Sequence, residues 1–193
     1  MRFVPCATMI GAVLAGGGGR RGGRDSTPGA LLAGRPLISY PLGALADVCD
    51  RIAVVCKQDT NLPELPGTER WNEPADPHHP LTGIVHALET AAAPVLVCAG
   101  DMPFVTADAC RSLLQAASSG PAVVATADAI LQPTFGLYTP AALEAMRAAS
   151  DHAPLTETIE SLDPVRVALP PALVRTVSTA DQLADAQALL AQR

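Results

Sequence analysis

The chain has 193 residues, of which 49% are apolar, 17% charged and only 3% aromatic. It can bury one sizeable core of Ala, Val, Leu and Ile, and its length favours a single domain over 1–193. A formal net charge of −6 excludes a general nucleic-acid binder, which needs a broad basic face to release counterions. No run approaches the roughly 18 consecutive apolar residues of a membrane span, and five cysteines without a CxxC pair read as reduced core thiols of a cytoplasmic protein, not as a zinc site.

In chain order, TMIGAVLA (8–15) predicts a first strand that runs straight into Gly16–Gly19; those glycines fit a strand end better than a signal-peptide cleavage site. RPLISYPLGALADV then spaces Leu37, Ile38, Leu42 and Leu45 as a helix does, with Pro36 in its first turn. RIAVVC (51–56) is a second strand, and a loop rich in Pro, Asn and Asp, ending in WNEPADPHHP, leads to a helix over PLTGIVHALETAA. PVLVCA (94–99) has the continuous β-branched character of a strand buried on both faces. TADACRSLLQAA predicts a helix capped by Thr106. PAVVAT (121–126) and PTFGLYT (133–139) are strands, PAALEAMRAA and LTETIESL are helices, and STADQLADAQALLAQ closes the chain as a helix opened by Ser178 or Thr179. The alternation predicts an α/β fold, a three-layer α/β/α sandwich around a mostly parallel sheet.

In such a sheet ligands bind at the carboxyl ends of strands, and two loops stand out there. The first, LAGGGGRRGGRD (14–25), combines bare backbone with Arg20, Arg21 and Arg24; successive glycine amides form an anion-binding nest, and a phosphate or planar base is the natural guest. It is not a Walker A loop, because the single lysine in the chain is Lys57. Gly17, Gly19 and Gly22 spell GxGxxG, but the stretch that follows has no helical apolar period. The second loop, AGDMPF (99–104), ends a central strand with Asp101. A carboxylate there can hold Mg²⁺ against a triphosphate, and it lies too far upstream to cap the helix starting near Thr106.

LAGGGGRRGGRD with GRPLI, then HPLTGI, AGDMPFV, QPTFGLY and VSTADQLADA together resemble, in order and over nearly the whole chain, the motifs of the molybdenum cofactor guanylyltransferase family, within the GT-A-like nucleotidyltransferases. The resemblance implies transfer of GMP from GTP to molybdopterin with release of pyrophosphate. It implies a guanine resting on the backbone of Leu14, Ala15, Gly16 and Gly17, with Gly18 beside them, a nucleotide contact for Asp76, and Mg²⁺ and phosphates on Asp101. The family's lysine corresponds to Ser26, or to Thr27 with a one-residue shift, leaving Arg21 and Arg24, with Arg20, to supply the cation; a guanidinium is not equivalent to an ammonium there. Gly22 stands at the motif's Met, Gln58 at an Asn after the second strand, His79 at the Gly of Gly-Pro-Leu, and Thr176 and Ser178 at paired asparagines on the acceptor side. Three functions stay open at this point: guanylyl transfer to molybdopterin, nucleotidyl transfer to another small phosphorylated acceptor, and nucleotide binding without catalysis. Each is expected of a monomer or weak homo-oligomer. The remaining candidates read structurally: His78 and His79 as polar loop, His86 as a partly buried or surface residue of the following helix, His152 without an acidic or nucleophilic neighbour, Trp71 as packing at a sheet edge, and Asp181 and Asp185 as charges facing a helix dipole.

Overall fold

The computed structural model describes residues 8–16, 29–149 and 153–191. Its centre is a seven-stranded sheet in the order β5-β4-β1-β6-β8-β7-β9, built from β1 (Ile10–Leu14), β4 (Arg51–Cys56), β5 (Glu69–Asn72), β6 (Val95–Ala99), β7 (Ala122–Ala127), β8 (Ile130–Tyr138) and β9 (Val165–Ala168). Only β8 runs against the rest, antiparallel to both β6 and β7. The expected three-layer sandwich with a mostly parallel sheet is therefore the observed architecture.

Period-two alternation along the strands separates two apolar layers. Val13, Leu96 and Cys98 face the side covered by α1 (Ser39–Ala46) and α3 (Ala107–Gln115), through Leu42, Leu45, Cys110 and Leu113. Ala12, Val95 and Val97 face α2 (Pro80–Ala91), α4 (Leu143–Ala148) and α5 (Leu155–Glu160), through Ile84, Leu88, Met146 and Ile159. A third, smaller cluster seats α6 (Ala180–Ala191): Ala186 meets Val177, Phe104, Leu32 and Leu37. The thiols of Cys56, Cys98 and Cys110 are buried and unbridged, and Cys49 is half-buried and free; Cys6 lies outside the described residues.

The structure corrects several expected elements. Pro36 is not in a helical first turn. It pairs with Leu31 in a two-residue ladder between β2 (Leu31–Leu32) and β3 (Arg35–Pro36), closed by Ala33 and Gly34, both at positive φ, as a two-residue hairpin turn requires. The helix begins only at Ser39, whose hydroxyl bonds the Pro36 carbonyl at 2.6 Å. The loop before α2 contains the unforeseen edge strand β5, and a second edge strand, β9, closes the other side. The helix expected over PAALEAMRAA opens as a single 3₁₀ turn, Pro140–Ala142.

Other local expectations hold. Thr106 caps α3 through an Ala109 N–H to Oγ1 bond of 3.2 Å. Trp71 is buried against the sheet from β5. Thr179, not Ser178, caps α6: its Oγ1 accepts from the Gln182 N–H at 3.2 Å, and Gln182 Oε1 accepts in return from the Thr179 N–H at 3.2 Å. This reciprocal pair is a capping box.

Candidate functional site

Topology puts the two singled-out loops together. From β1 the chain winds outward to β4 and β5, then returns to β6 on the opposite side of β1, which makes the gap between β1 and β6 the switch point where ligands of open α/β sheets bind. Leu14 stands in register with Ala99, and the Gly100 N–H donates to the Leu14 carbonyl at 2.9 Å. Ala15 is anchored on the other side by its N–H to the Val55 carbonyl, 2.8 Å. Gly16, the last described residue before the gap, and Asp101 therefore emerge side by side from neighbouring strands.

Asp101 is half-buried, and burial pushes its carboxyl above the ordinary carboxylate value against the opposing pull of Ser178. The Ser178 hydroxyl donates to Asp101 Oδ2 at 2.8 Å, and the Val177 N–H donates to the Asp101 carbonyl at 2.8 Å. Because Gln182 Oε1 also accepts from the Ser178 N–H at 2.7 Å, the capping box of α6 fixes the residue that holds the acid. Thus two site candidates far apart in sequence, Asp101 and Ser178, are in direct contact. Thr176, two residues earlier, lines an open cleft of about 500 Å³ with Arg175, Gln182, Gln132 and the β7–β8 turn.

Other candidates are placed less centrally. Asp76 sits in the loop before α2 with its side chain 88% exposed, 4.0 Å from His78. Gln58 is exposed just beyond β4, and its carbonyl, with those of Lys57 and Thr60, accepts from Arg70 Nη2 at about 3 Å. His79 turns out to be the N-cap of α2, Nδ1 accepting from the Leu81 N–H at 3.3 Å. Asp181 stands in the first turn of α6 as expected, whereas Asp185 pairs with Arg175 at 3.1 Å. Arg35 lies over the Tyr40 ring, 5.0 Å from its centroid. Gly17, Gly18, Arg20, Arg21, Gly22, Arg24, Ser26, Thr27 and His152 lie outside the described residues.

Beside Gly16 the structure brings a carboxylate that sequence reasoning passed over. Glu73, just past β5, is buried, and a Cβ placed on Gly16 would overlap its carboxylate. The backbone at Gly16 thus needs glycine for close approach. Glu73 is paired with Lys57, Nζ to Oε1 3.4 Å. The signal was present in Lys57 as the sole lysine, but nothing local revealed that β5 exists to carry its partner there.

Among the described residues no three His, Cys, Asp or Glu side chains converge to form a metal cage, and no helix is long and apolar enough to cross a membrane. Against known proteins, residues 11–165 match the family model of the MobA-like NTP transferase domain. The chain belongs to that family. This MobA-like NTP transferase is accordingly a nucleotidyltransferase. It is 32% identical over 150 residues, 72% of this chain and 74% of the relative, to the molybdenum cofactor guanylyltransferase of Cereibacter sphaeroides. Among solved structures, it superposes on the molybdopterin-guanine dinucleotide biosynthesis protein A of Archaeoglobus fulgidus with a TM-score of 0.69 at 21% identity, covering 96% of this chain and 100% of that one. It also superposes on a Mycobacterium tuberculosis protein solved in complex with manganese, with a TM-score of 0.70 at 13% identity, covering 94% and 98%. The resemblance read from the motifs is thereby established at family level.

Proposed function

We propose that the protein transfers GMP from GTP to molybdopterin and releases pyrophosphate. The observation that carries this reading is the emergence of Gly16 and Asp101 from the adjacent carboxyl ends of β1 and β6, joined by the Gly100 to Leu14 hydrogen bond. The name of the Cereibacter relative supports the choice of guanylyl group and acceptor. In the reaction an acceptor phosphate oxygen forms a bond to the α-phosphorus of GTP while the bond from that phosphorus to the bridging oxygen breaks, and pyrophosphate takes the electron pair. Such a displacement needs positioning and charge compensation rather than a protein nucleophile.

In this reading Leu14, Ala15 and Gly16, continued by Gly17 and Gly18, receive the guanine. Gln58 and Asp76 contact the nucleotide, Arg21 and Arg24 with Ser26 face the phosphates, and Thr176 and Ser178 serve the acceptor, whose place the cleft beside Thr176 and Arg175 supports. A single carboxylate at a strand end suits Mg²⁺, which keeps waters and takes its other ligands from phosphates rather than from a protein cage. Asp101 is the residue to hold it. Bound there, the ion would neutralise phosphate charge as pyrophosphate departs. We place the reaction in the cytoplasm, consistent with four unbridged thiols among the described residues, in a monomer or weak homo-oligomer.

The test is pyrophosphate release across the four nucleoside triphosphates with molybdopterin and Mg²⁺, for the wild type and Asp101→Ala. Release with GTP that vanishes in the variant is expected. Release only with a different phosphorylated acceptor would reassign the acceptor. The replacement of the family lysine by Ser26 or Thr27 favours one second reading, non-catalytic nucleotide binding. GTP binding with no pyrophosphate release under any condition would select it.

A further inference from the structure

Lys57 follows the last residue of β4 and is buried together with Glu73. Burying an ammonium is costly unless each of its protons finds an acceptor. Here three acceptors surround Nζ: the Pro74 carbonyl at 2.5 Å, the Pro77 carbonyl at 3.1 Å and Glu73 Oε1 at 3.4 Å. Lys57 is therefore not free to neutralise a triphosphate in place of the missing motif lysine. Its charge is spent inward, on two segments that reach the proposed nucleotide site. One is the chain from Pro74 to Pro77, which carries Asp76. The other is the Glu73 carboxylate, wedged between two glycines: it occupies the space a side chain on Gly16 would need, and Oε2 lies 3.1 Å from where a Cβ on Gly83 of α2 would stand. The Glu73 N–H, bonded to the Cys56 carbonyl at 3.0 Å, pins the backbone of the same residue to the end of β4.

We propose that Lys57 is a positioning residue of the nucleotide site, holding the Glu73 side chain against Gly16 while fixing the 74–77 segment through its carbonyls. This rests on the nucleotide-site reading above. Burial alone pushes the Glu73 carboxyl upward, and Lys57 is the largest opposing influence. The other groups acting on it are His86 of α2 and His78 of the preceding loop, both of which favour the carboxylate when protonated. A Met at 57 keeps most of the volume but removes the charge. The carboxyl then takes up a proton more readily, and the 74–77 carbonyls lose their donor.

The experiment is calorimetric titration of Mg·GTP into wild type, Lys57→Met, Glu73→Gln and the double variant from about pH 5.5 to about 8.5, with thermal melts to establish folding. Lys57→Met is expected to bind GTP about tenfold more weakly near neutrality and to recover affinity as pH rises and Glu73 ionises. Glu73→Gln is expected to weaken binding without that recovery. The double variant should be no worse than the singles. A folded Lys57→Met protein with wild-type affinity and pH profile would overturn the proposal, as would a loss of the same size at every pH. If Lys57→Met does not fold, wild-type binding by Glu73→Gln would overturn it instead. Failure of the wild type to bind any nucleoside triphosphate would remove the nucleotide-site reading itself and this proposal with it, so the two failures are distinguishable.

Discussion

Replacing Ser178 with Ala removes one hydroxyl and tests how the acid at the end of β6 is held. The Ser178 hydroxyl donates to Asp101 Oδ2 at 2.8 Å and favours the carboxylate, while burial, the larger influence, favours the protonated acid. A hydrogen bond to a charged group contributes about 1.5–3 kcal/mol, and the half-buried position of Asp101 argues for the lower end, about 1.5 kcal/mol. The sign follows from the carboxyl being raised in the folded state. Folding is favoured by this group below its ordinary value, and that advantage is lost as pH rises through the raised one. Without Ser178 the folded carboxyl rises further, so the variant's deficit is full at alkaline pH, where Asp101 is ionised in both proteins, and shrinks as pH falls and both become protonated. Urea denaturation of wild type and variant at several pH values measures the deficit, and pyrophosphate release against pH should show the acid limb of activity displaced to higher pH. A deficit that grows on acidification, or an unmoved acid limb, would refute the assignment of Ser178 as the group holding Asp101 ionised.

Asp101→Asn keeps an acceptor for Ser178 but removes the desolvated charge. It should be at least as stable as the wild type in urea at pH 7 to 8, yet lose about 100-fold or more in pyrophosphate release. Gly16→Ala drives a methyl into the Glu73 carboxylate and should cost about 1–3 kcal/mol in chemical denaturation, with GTP affinity falling as Glu73 is displaced. Thr179→Ala removes the α6 cap at a cost of about 1 kcal/mol. Because Gln182 of the same box also holds the Ser178 N–H, activity should fall along with the melting temperature.

The strands forming the centre of the sheet were legible because both of their faces are buried. β1, β4 and β6 read as unbroken apolar runs, and the loops at their carboxyl ends followed from their order. The elements that escaped are those with little apolar content to reveal them. β5 buries one side chain, Trp71, among Glu69, Arg70 and Asn72, and β9 is mostly exposed. The hairpin that displaced Pro36 from the helix depends on a positive φ at Ala33, which alanine does not advertise.

The same distinction explains which site residues could be foreseen. The position of Asp101 was readable because it ends a strand that announces itself, whereas Ser178 was named from the family resemblance alone; they meet because the 174–178 segment crosses over the end of β6. Glu73 depends on a strand with almost no signal, so its approach to Gly16 was invisible, and with it the reason for a buried Lys57. The absence of a lysine after the first glycines and the single lysine at 57 are separate facts in the sequence. In the fold they bear on one question, because Lys57 is buried, paired with Glu73 and donating to two carbonyls, turned away from any phosphate at the strand ends. Under the proposed function, compensation of the triphosphate charge would then fall to Arg20, Arg21 and Arg24 and to an ion held by Asp101.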